Sequence, residues 1–263
     1  MIIIYLLIGL LASIIGAIAG IGGGVIIKPV LDMMGHYDVG TISILSASTV
    51  FSMAVVSLII IIFSKETEIN FRTSGLLAVS SILGGFTGKI IFINLMTLIE
   101  NKTIISFTQS IILTILMLVI LIFHLYKDKL TSFQLNHAFF ILLIGFKLGL
   151  IAAFLGIGGG PLNIAILTLG FSMTAKAATA NSIFIIFFSQ ISSLLTTTFT
   201  TGFGDFDLSM LWYIVAGGAI GGIIGSTILT RVSNKYVVHV FTAAVTAVVL
   251  VNIFNVIKVI PDL

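Results

Sequence analysis

Gly20-Ile21-Gly22-Gly23-Gly24 recurs as Gly156-Ile157-Gly158-Gly159-Gly160, 136 residues on, each time inside an otherwise apolar stretch. Glycines in such a run interrupt one helix and start another. The first N–H groups of a helix have no intrahelical acceptor and carry about half a positive charge. Such an end attracts anions, and glycine leaves its N–H groups open to a ligand. Gly23, Gly24 and Val25 open one half-helix, and Gly159 and Gly160 open the other. Pro161 takes a first-turn position there, where a missing N–H costs least, and Asn163 follows two residues later. Packing alone asks for small residues, not three consecutive glycines kept in both copies.

The stretch after each break supplies candidate side walls. Ser43, Ser46 and Thr49 recur every three residues, as do Thr179 and Ser182, with Asn181 adjacent. A hydroxyl donates to an oxyanion or returns to its own helix carbonyl. The amides of Gln109, Asn181 and Gln190 lack that local outlet, and an interhelical bond suits them as well as a ligand does. Among the intramembrane cations, Lys28 is four residues after Gly24, Lys147 eleven before Gly158, and Lys89 beside Gly88; none has a basic counterpart in the other copy. Lys89 is expected to reach for the membrane interface. Lys28 and Lys147, nearer the breaks, are the candidates to assist an anion. The expected ligand-contacting set is Gly22, Gly23, Gly24, Val25, Lys28, Ser46, Thr49, Gly158, Gly159, Gly160, Asn163, Asn181 and Ser182.

These residues sit in a chain of 263 that is 59% hydrophobic and 8% charged, where a soluble domain carries about 25% charge. The composition is that of an all-α, polytopic integral membrane protein in contact with the lipid bilayer. A formal charge of +3 without a basic run points to no nucleic-acid partner. The absence of cysteine excludes disulfides, thiolate metal sites and cysteine nucleophiles. The four histidines form no metal-binding spacing, and no GxSxG occurs, so neither an enzyme nor a cofactor is expected. Ala17-Ile18-Ala19 mimics a signal-peptidase site, but recurrence of the motif far from the N-terminus favours keeping residues 1–19 in the structure.

The duplication extends beyond the glycines. Ser43, Ser46 and Ser57 fall on Thr179, Ser182 and Ser193 at the same offset; Gly84, Gly85 and Gly88 fall on Gly221, Gly222 and Gly225 at 137; Asn101-Lys102 falls on Asn234-Lys235 at 133. Internal duplication in a polytopic chain is typical of secondary transporters, with the site between repeats. We divide the chain into 1–130 and 131–263 within one membrane domain, the charged link Tyr126 to Thr131 being the divider. Each half has one interrupted segment (2–35; 137–171) and three spans (41–63, 73–98, 104–126; 175–200, 208–230, 236–257). The interrupted segments would run about 50 Å as one helix against about 30 Å of hydrocarbon, too long for one crossing and too short for two. Each therefore reads as a re-entrant hairpin. The glycines within the plain spans read as packing surfaces, which permit a homodimer without requiring one.

Re-entry places Lys65, Arg72, Lys127, Lys129, Lys176, Arg231 and Lys235 on one side and Lys28, Lys102 and Lys258 on the other. A single crossing per segment would split the basic residues nearly evenly, which the positive-inside tendency disfavours. Three crossings per half make the repeats inverted, with both termini outside the cytoplasm of a cell (inner or plasma) membrane.

The paired segments "AGIGGGVIIKPVL" and "FLGIGGGPLNIAIL", followed by "TISILSAS" and "AATANS", resemble the TauE/SafE sulfite exporter family over essentially the whole chain. The resemblance implies a transporter of sulfur-containing anions such as sulfite or organosulfonates. The expected mechanism is alternating access, one half rocking against the other around an anion held at the paired half-helix N-termini. A passive anion channel and a non-transporting scaffold or assembly factor are the competing functions. One departure is visible: the proline after the glycines is Pro29 in the first half but Pro161, directly after Gly160, in the second.

Overall fold

The computed structural model describes residues 1–64, 67, 69–99, 102–126, 135 and 137–259, with the side chains of 102, 103 and 259 excepted. Lys65, Lys127, Lys129, Asn101, the Lys102 side chain and the divider beyond Tyr126 lie outside the described residues. The described residues form ten α-helices and no strand: α1 (Ile2–Ala19), α2 (Gly24–Met34), α3 (Val39–Ser64), α4 (Phe71–Leu98), α5 (Lys102–Tyr126), α6 (Ala138–Leu155), α7 (Gly160–Gly170), α8 (Ala175–Thr200), α9 (Leu211–Arg231) and α10 (Asn234–Val259). Large apolar side chains such as Phe63, Leu98 and Phe199 point outward, as lipid-facing residues do. The protein is a multi-pass membrane protein.

Each interrupted segment is a hairpin. Gly20 and Gly156 end α1 and α6 in the left-handed region, with φ of 69° and 68°, a conformation open to a residue without Cβ. A short turn follows, and α2 and α7 begin at Gly24 and Gly160. The ends of the first hairpin meet: the Tyr5 hydroxyl is hydrogen-bonded to His36 Nδ1 at 2.9 Å, and the Tyr5 and Tyr37 rings pack edge to face. The second closes through the Leu135 N–H, which donates to the Gly170 carbonyl at 2.9 Å. The arms are unequal, 18 residues out and 11 back in both cases. At 1.5 Å per residue the longer arm is about 27 Å, close to the hydrocarbon thickness. Among the described residues eight helices are therefore long and apolar enough to cross a membrane; α1 and α6 are the two beyond the six plain spans.

Glycine seams join the hairpins to distant helices. α1 lies along α9 and α6 along α4, the two most extensive helix pairs. A Cβ at Gly217, Gly221 or Gly225 would overlap the α1 backbone at Leu6, Leu10 and Ile14, so the two helices run in the same direction. Leu77 meets Gly145 and Ser81 meets Gly149, which gives α4 and α6 the same relation. α3 follows α9, with Ser52 Oγ donating to the Val215 carbonyl and Ser57 Oγ to that of Gly222 at 3.1 and 3.3 Å. α8 follows α4, with Ser192 Oγ donating to the Ile82 carbonyl at 2.8 Å. Two groups of helices emerge, α1/α3/α9 and α4/α6/α8, each mixing elements from both halves of the chain. They cross where Phe51 stacks on Phe187.

Local capping explains why the spans start where they do. Asp38 Oδ1 accepts from the Thr41 N–H at 2.8 Å, Asn70 Oδ1 from Thr73 at 3.1 Å and Thr174 Oγ1 from Ala177 at 3.3 Å, each satisfying an orphan donor of the first turn. Asp38 and Thr174 are 136 residues apart, so the duplication reaches the caps.

Candidate functional site

The two breaks clasp each other at the centre of the molecule. The position a Cβ would take at Gly24 is 3.0 Å from the Ile157 carbonyl, and a Cβ at Gly160 would overlap the carbonyl of Ile21. These contacts exchange under the offset of 136. Gly22 packs against Val50 and Ile186, and Gly158 against Val50 and Gln190, beside the middle of α3 and α8. Residues 22–25 and 158–160 are thus brought together and buried.

Each half-helix start is polar but differently furnished. No protein acceptor is bonded to the backbone N–H of Gly24, Val25 or Gly160 among the described residues. Beside the α2 end, a Cβ at Gly23 would lie 3.1 Å from Ser13 Oγ and one at Gly24 2.9 Å from Ser46 Oγ. Both hydroxyls are fully buried without a partner, a condition that calls for a ligand or a water. At the α7 end, Gly158, Gly159, Asn163, Ser81 and Ser189 line a gap too small for a water, and Ser189 Oγ likewise has no partner among the described residues.

The other expected contact residues divide. Thr49 Oγ1 donates to its own helix at the Leu45 carbonyl, 2.7 Å away. Ser182 Oγ donates to the Gly20 carbonyl at 2.6 Å, bracing the first break from outside the half-helix ends. Asn181 is not with the breaks' N-termini: its Oδ1 accepts from the Asn70 N–H at 2.8 Å and Ser74 Oγ at 2.6 Å, and its Nδ2 donates to Ala177. It ties α8 to the start of α4.

Lys28 is 3% exposed, so it does not lie at a membrane face as the charge distribution assumed. Its Nζ donates to the Leu155 carbonyl at 2.7 Å and to Gln109 Oε1, while Gln109 Nε2 donates to the Phe154 carbonyl at 2.6 Å. Cation and amide together satisfy the last carbonyls of α6, whose end carries partial negative charge. Lys147 is exposed on α6, away from the breaks. Lys89 does not reach the interface; it too is 3% exposed, and its Nζ donates to Ser43 Oγ at 3.0 Å. Its partner Ser43 packs on Gly156 together with Lys28. Among the described basic residues, Arg72, Lys176, Arg231 and Lys235 share one face: Lys176 Nζ donates to the Thr230 carbonyl, and its N–H to Asn234 Oδ1. Lys258 binds the Met33 carbonyl at the other face.

Two blind cavities approach from opposite ends of α8. One, of about 360 Å³, opens among Thr174, Asn234 and Lys235 and ends at Ala19, Ile164 and Thr179 beside Gly20. The other, of about 210 Å³, opens among Thr97, Thr201 and Asp205 and ends at Ile44 and Lys89. Sequence reasoning missed Ser13, Ser189 and the Lys89–Ser43 pair. One signal was available: Lys89 is one turn after Gly85, on a stripe that glycines mark as closely packed. Among the described residues no group of three or more His, Asp or Glu side chains is arranged to hold a metal ion.

Half-helices clasped at mid-depth in a duplicated helical body are the arrangement of a transporter, and the sequence comparisons agree. A sequence model described as "Sulfite exporter TauE/SafE" matches residues 5–253. The chain belongs to the TauE/SafE family. It is also similar to the "Probable membrane transporter protein YunE" of Bacillus subtilis (strain 168), with 26% identity, over 90% of this chain and 92% of that one. No solved structure matches it. This TauE/SafE protein is a membrane transporter and not an enzyme.

Proposed function

We propose that the protein carries a small sulfur-containing oxyanion, of the sulfite or organosulfonate class, across the membrane by alternating access. The observation that carries this reading is the pair of cavities at opposite ends of α8, one reaching the hairpins at Ala19 and Ile164, the other stopping short of them at Ile44 of α3 and Lys89 of α4. A continuous pore would favour passive flux; two dead ends separated by a packed centre favour a carrier. The unbonded N–H groups of Gly24, Val25 and Gly160, with the hydroxyls of Ser13, Ser46 and Ser189, suit three or four acceptor oxygens better than a cation.

The parallel runs of α1 with α9 and of α4 with α6 support inverted repeats, since α8 and α9 are successive spans and α3 follows α9. They also alter what rocks. The sequence halves are interleaved, so the moving bodies on this reading are α1/α3/α9 and α4/α6/α8, turning about the crossing of α3 and α8 near Phe51 and Phe187. The face bearing Arg72, Lys176, Arg231 and Lys235 is taken as cytoplasmic.

Uptake of radiolabelled sulfite and taurine into proteoliposomes containing the purified chain tests the function. Saturable uptake with counterflow is expected; linear flux without counterflow would establish a channel, and no flux of either anion would remove the substrate assignment. The isosteric double variant Ser13→Ala/Ser46→Ala should raise the half-saturating concentration about 10-fold, the worth of one or two charge-assisted hydrogen bonds.

A further inference from the structure

We infer that Lys89 and Lys28, with the Ser43 hydroxyl beside them, form the charge-bearing site that receives the anion from the smaller cavity. The inference rests on the anion-transport reading and names the residues that neutralise the cargo.

Three observations converge. Lys89 lies at the blind end of the 210 Å³ cavity and is nevertheless 3% exposed, with its Nζ on Ser43 Oγ. Ser43 and Lys28 both pack on Gly156, where a Cβ would be 3.3 Å from Ser43 Oγ and 3.8 Å from Lys28 Cδ. Among the described residues neither ammonium is bonded to a carboxylate; the acid next to Lys28 is Asp32, one turn further along α2, and it forms no hydrogen bond with it. Two like charges buried together with no bonded counter-ion are unfavourable unless an anion joins them. Each ammonium has three donors. Among the described residues Lys28 uses two, on Leu155 and Gln109, and Lys89 uses one, on Ser43, with its Nζ also 5.1 Å from the centre of the Phe92 ring. Donors on both cations therefore remain for oxygen atoms of a ligand.

The duplication argues that the packing at these places does not itself require a charge. Lys28 and Ser43 correspond at the offset of 136 to Ile164 and Thr179, and Lys89 at the local offset of 137 to Ser226. Ile164 and Thr179 occupy the matching place, against Gly20 at the blind end of the other cavity. The second half builds the same packing on Gly20 with two neutral side chains, Ile164 and Thr179. The cation pair is thus an addition on one of two otherwise equivalent paths, the one on the side of the smaller cavity.

The chain contains no cysteine, which permits a direct reading of local charge. Ile93 lines the same cavity one turn from Lys89, so Ile93→Cys in the full chain is labelled with anionic and cationic methanethiosulfonates of similar size. Their rate ratio is normalised to that for a free thiol. Asp38 and Asp205 also line this cavity and act against anion entry, so a preference for the anionic reagent must come from the lysines. We expect the anionic reagent to be favoured at least 10-fold, sulfate and methanesulfonate to slow labelling, and Lys89→Met to abolish the preference. Lys89→Arg should retain it. Equal rates in Ile93→Cys with both lysines present would overturn the inference without any need for a folded Lys89 variant. In proteoliposomes, Lys89→Met should abolish saturable sulfite or taurine uptake and Lys89→Arg restore part of it. Normal uptake by Lys89→Met would sink the cation site and leave the transport reading standing. Absence of sulfite and taurine uptake by the unsubstituted chain, with the labelling preference intact, would remove that substrate assignment and leave an anion-binding cation pair.

Discussion

Lys28 shows how far a single residue's place can be read from its neighbours in sequence. Its position four residues after Gly24 correctly set it beside a break, but its acceptor is the end of α6, at Leu155, 127 residues away. No periodicity carries that information, because it depends on how the two hairpins clasp. Replacing Lys28 with Met removes a donor from the Leu155 carbonyl and from Gln109 Oε1 in a buried site. We expect a loss of roughly 1–3 kcal/mol, read as a lower unfolding midpoint in detergent, with Gln109→Leu moving it the same way. Asn181 teaches the complementary lesson. A buried amide after a glycine break suggested ligand contact, yet its bonds to Asn70 and Ser74 anchor two helices. Hydroxyls and amides look alike in a sequence whether they wait for a ligand or hold a neighbour.

At the level of elements, the starts of α2 and α7 were legible because glycine and proline mark them locally, and the interrupted segments' length excluded both one and two crossings. The inequality of the arms was not legible. α1 extends as far as its seam with α9 allows, and that seam is a tertiary contact. The glycines therefore differ sharply in what a methyl group would do. Gly160→Ala sets a Cβ onto the Ile21 carbonyl and Gly84→Ala sets one onto the Phe146 carbonyl; each should destabilise by about 3 kcal/mol or more, at the upper end of overpacking. Gly75, also in α4, has nothing within 4 Å of the added Cβ, so Gly75→Ala should be neutral or stabilising by up to about 1 kcal/mol through helix propensity. Thermal unfolding of the three variants in one detergent tests the contrast, and equal losses would contradict the packing described here.

For the whole molecule, composition made the all-helical plan legible, but not which helices pack together. Pairings between α1 and α9 and between α4 and α6 cross the boundary between repeats, and sequence similarity between the halves says nothing about partner choice. Side-specific labelling tests the arrangement of cavities: Thr174→Cys and Thr97→Cys, at the mouths of the larger and smaller cavity, should react from opposite sides of sealed vesicles. Reaction of both from the same side would refute it. The seam between α1 and α9 has one more consequence, for synthesis on the ribosome. The face of α1 at Leu6, Leu10 and Ile14 finds its partner in Gly217, Gly221 and Gly225, so α1 must wait in the bilayer until α9 is made. During that interval this face is open to lipid or to chaperone helices. The first half expressed alone should therefore be degraded quickly, and co-expression of the second half should rescue it, because each half carries the surface that completes the other.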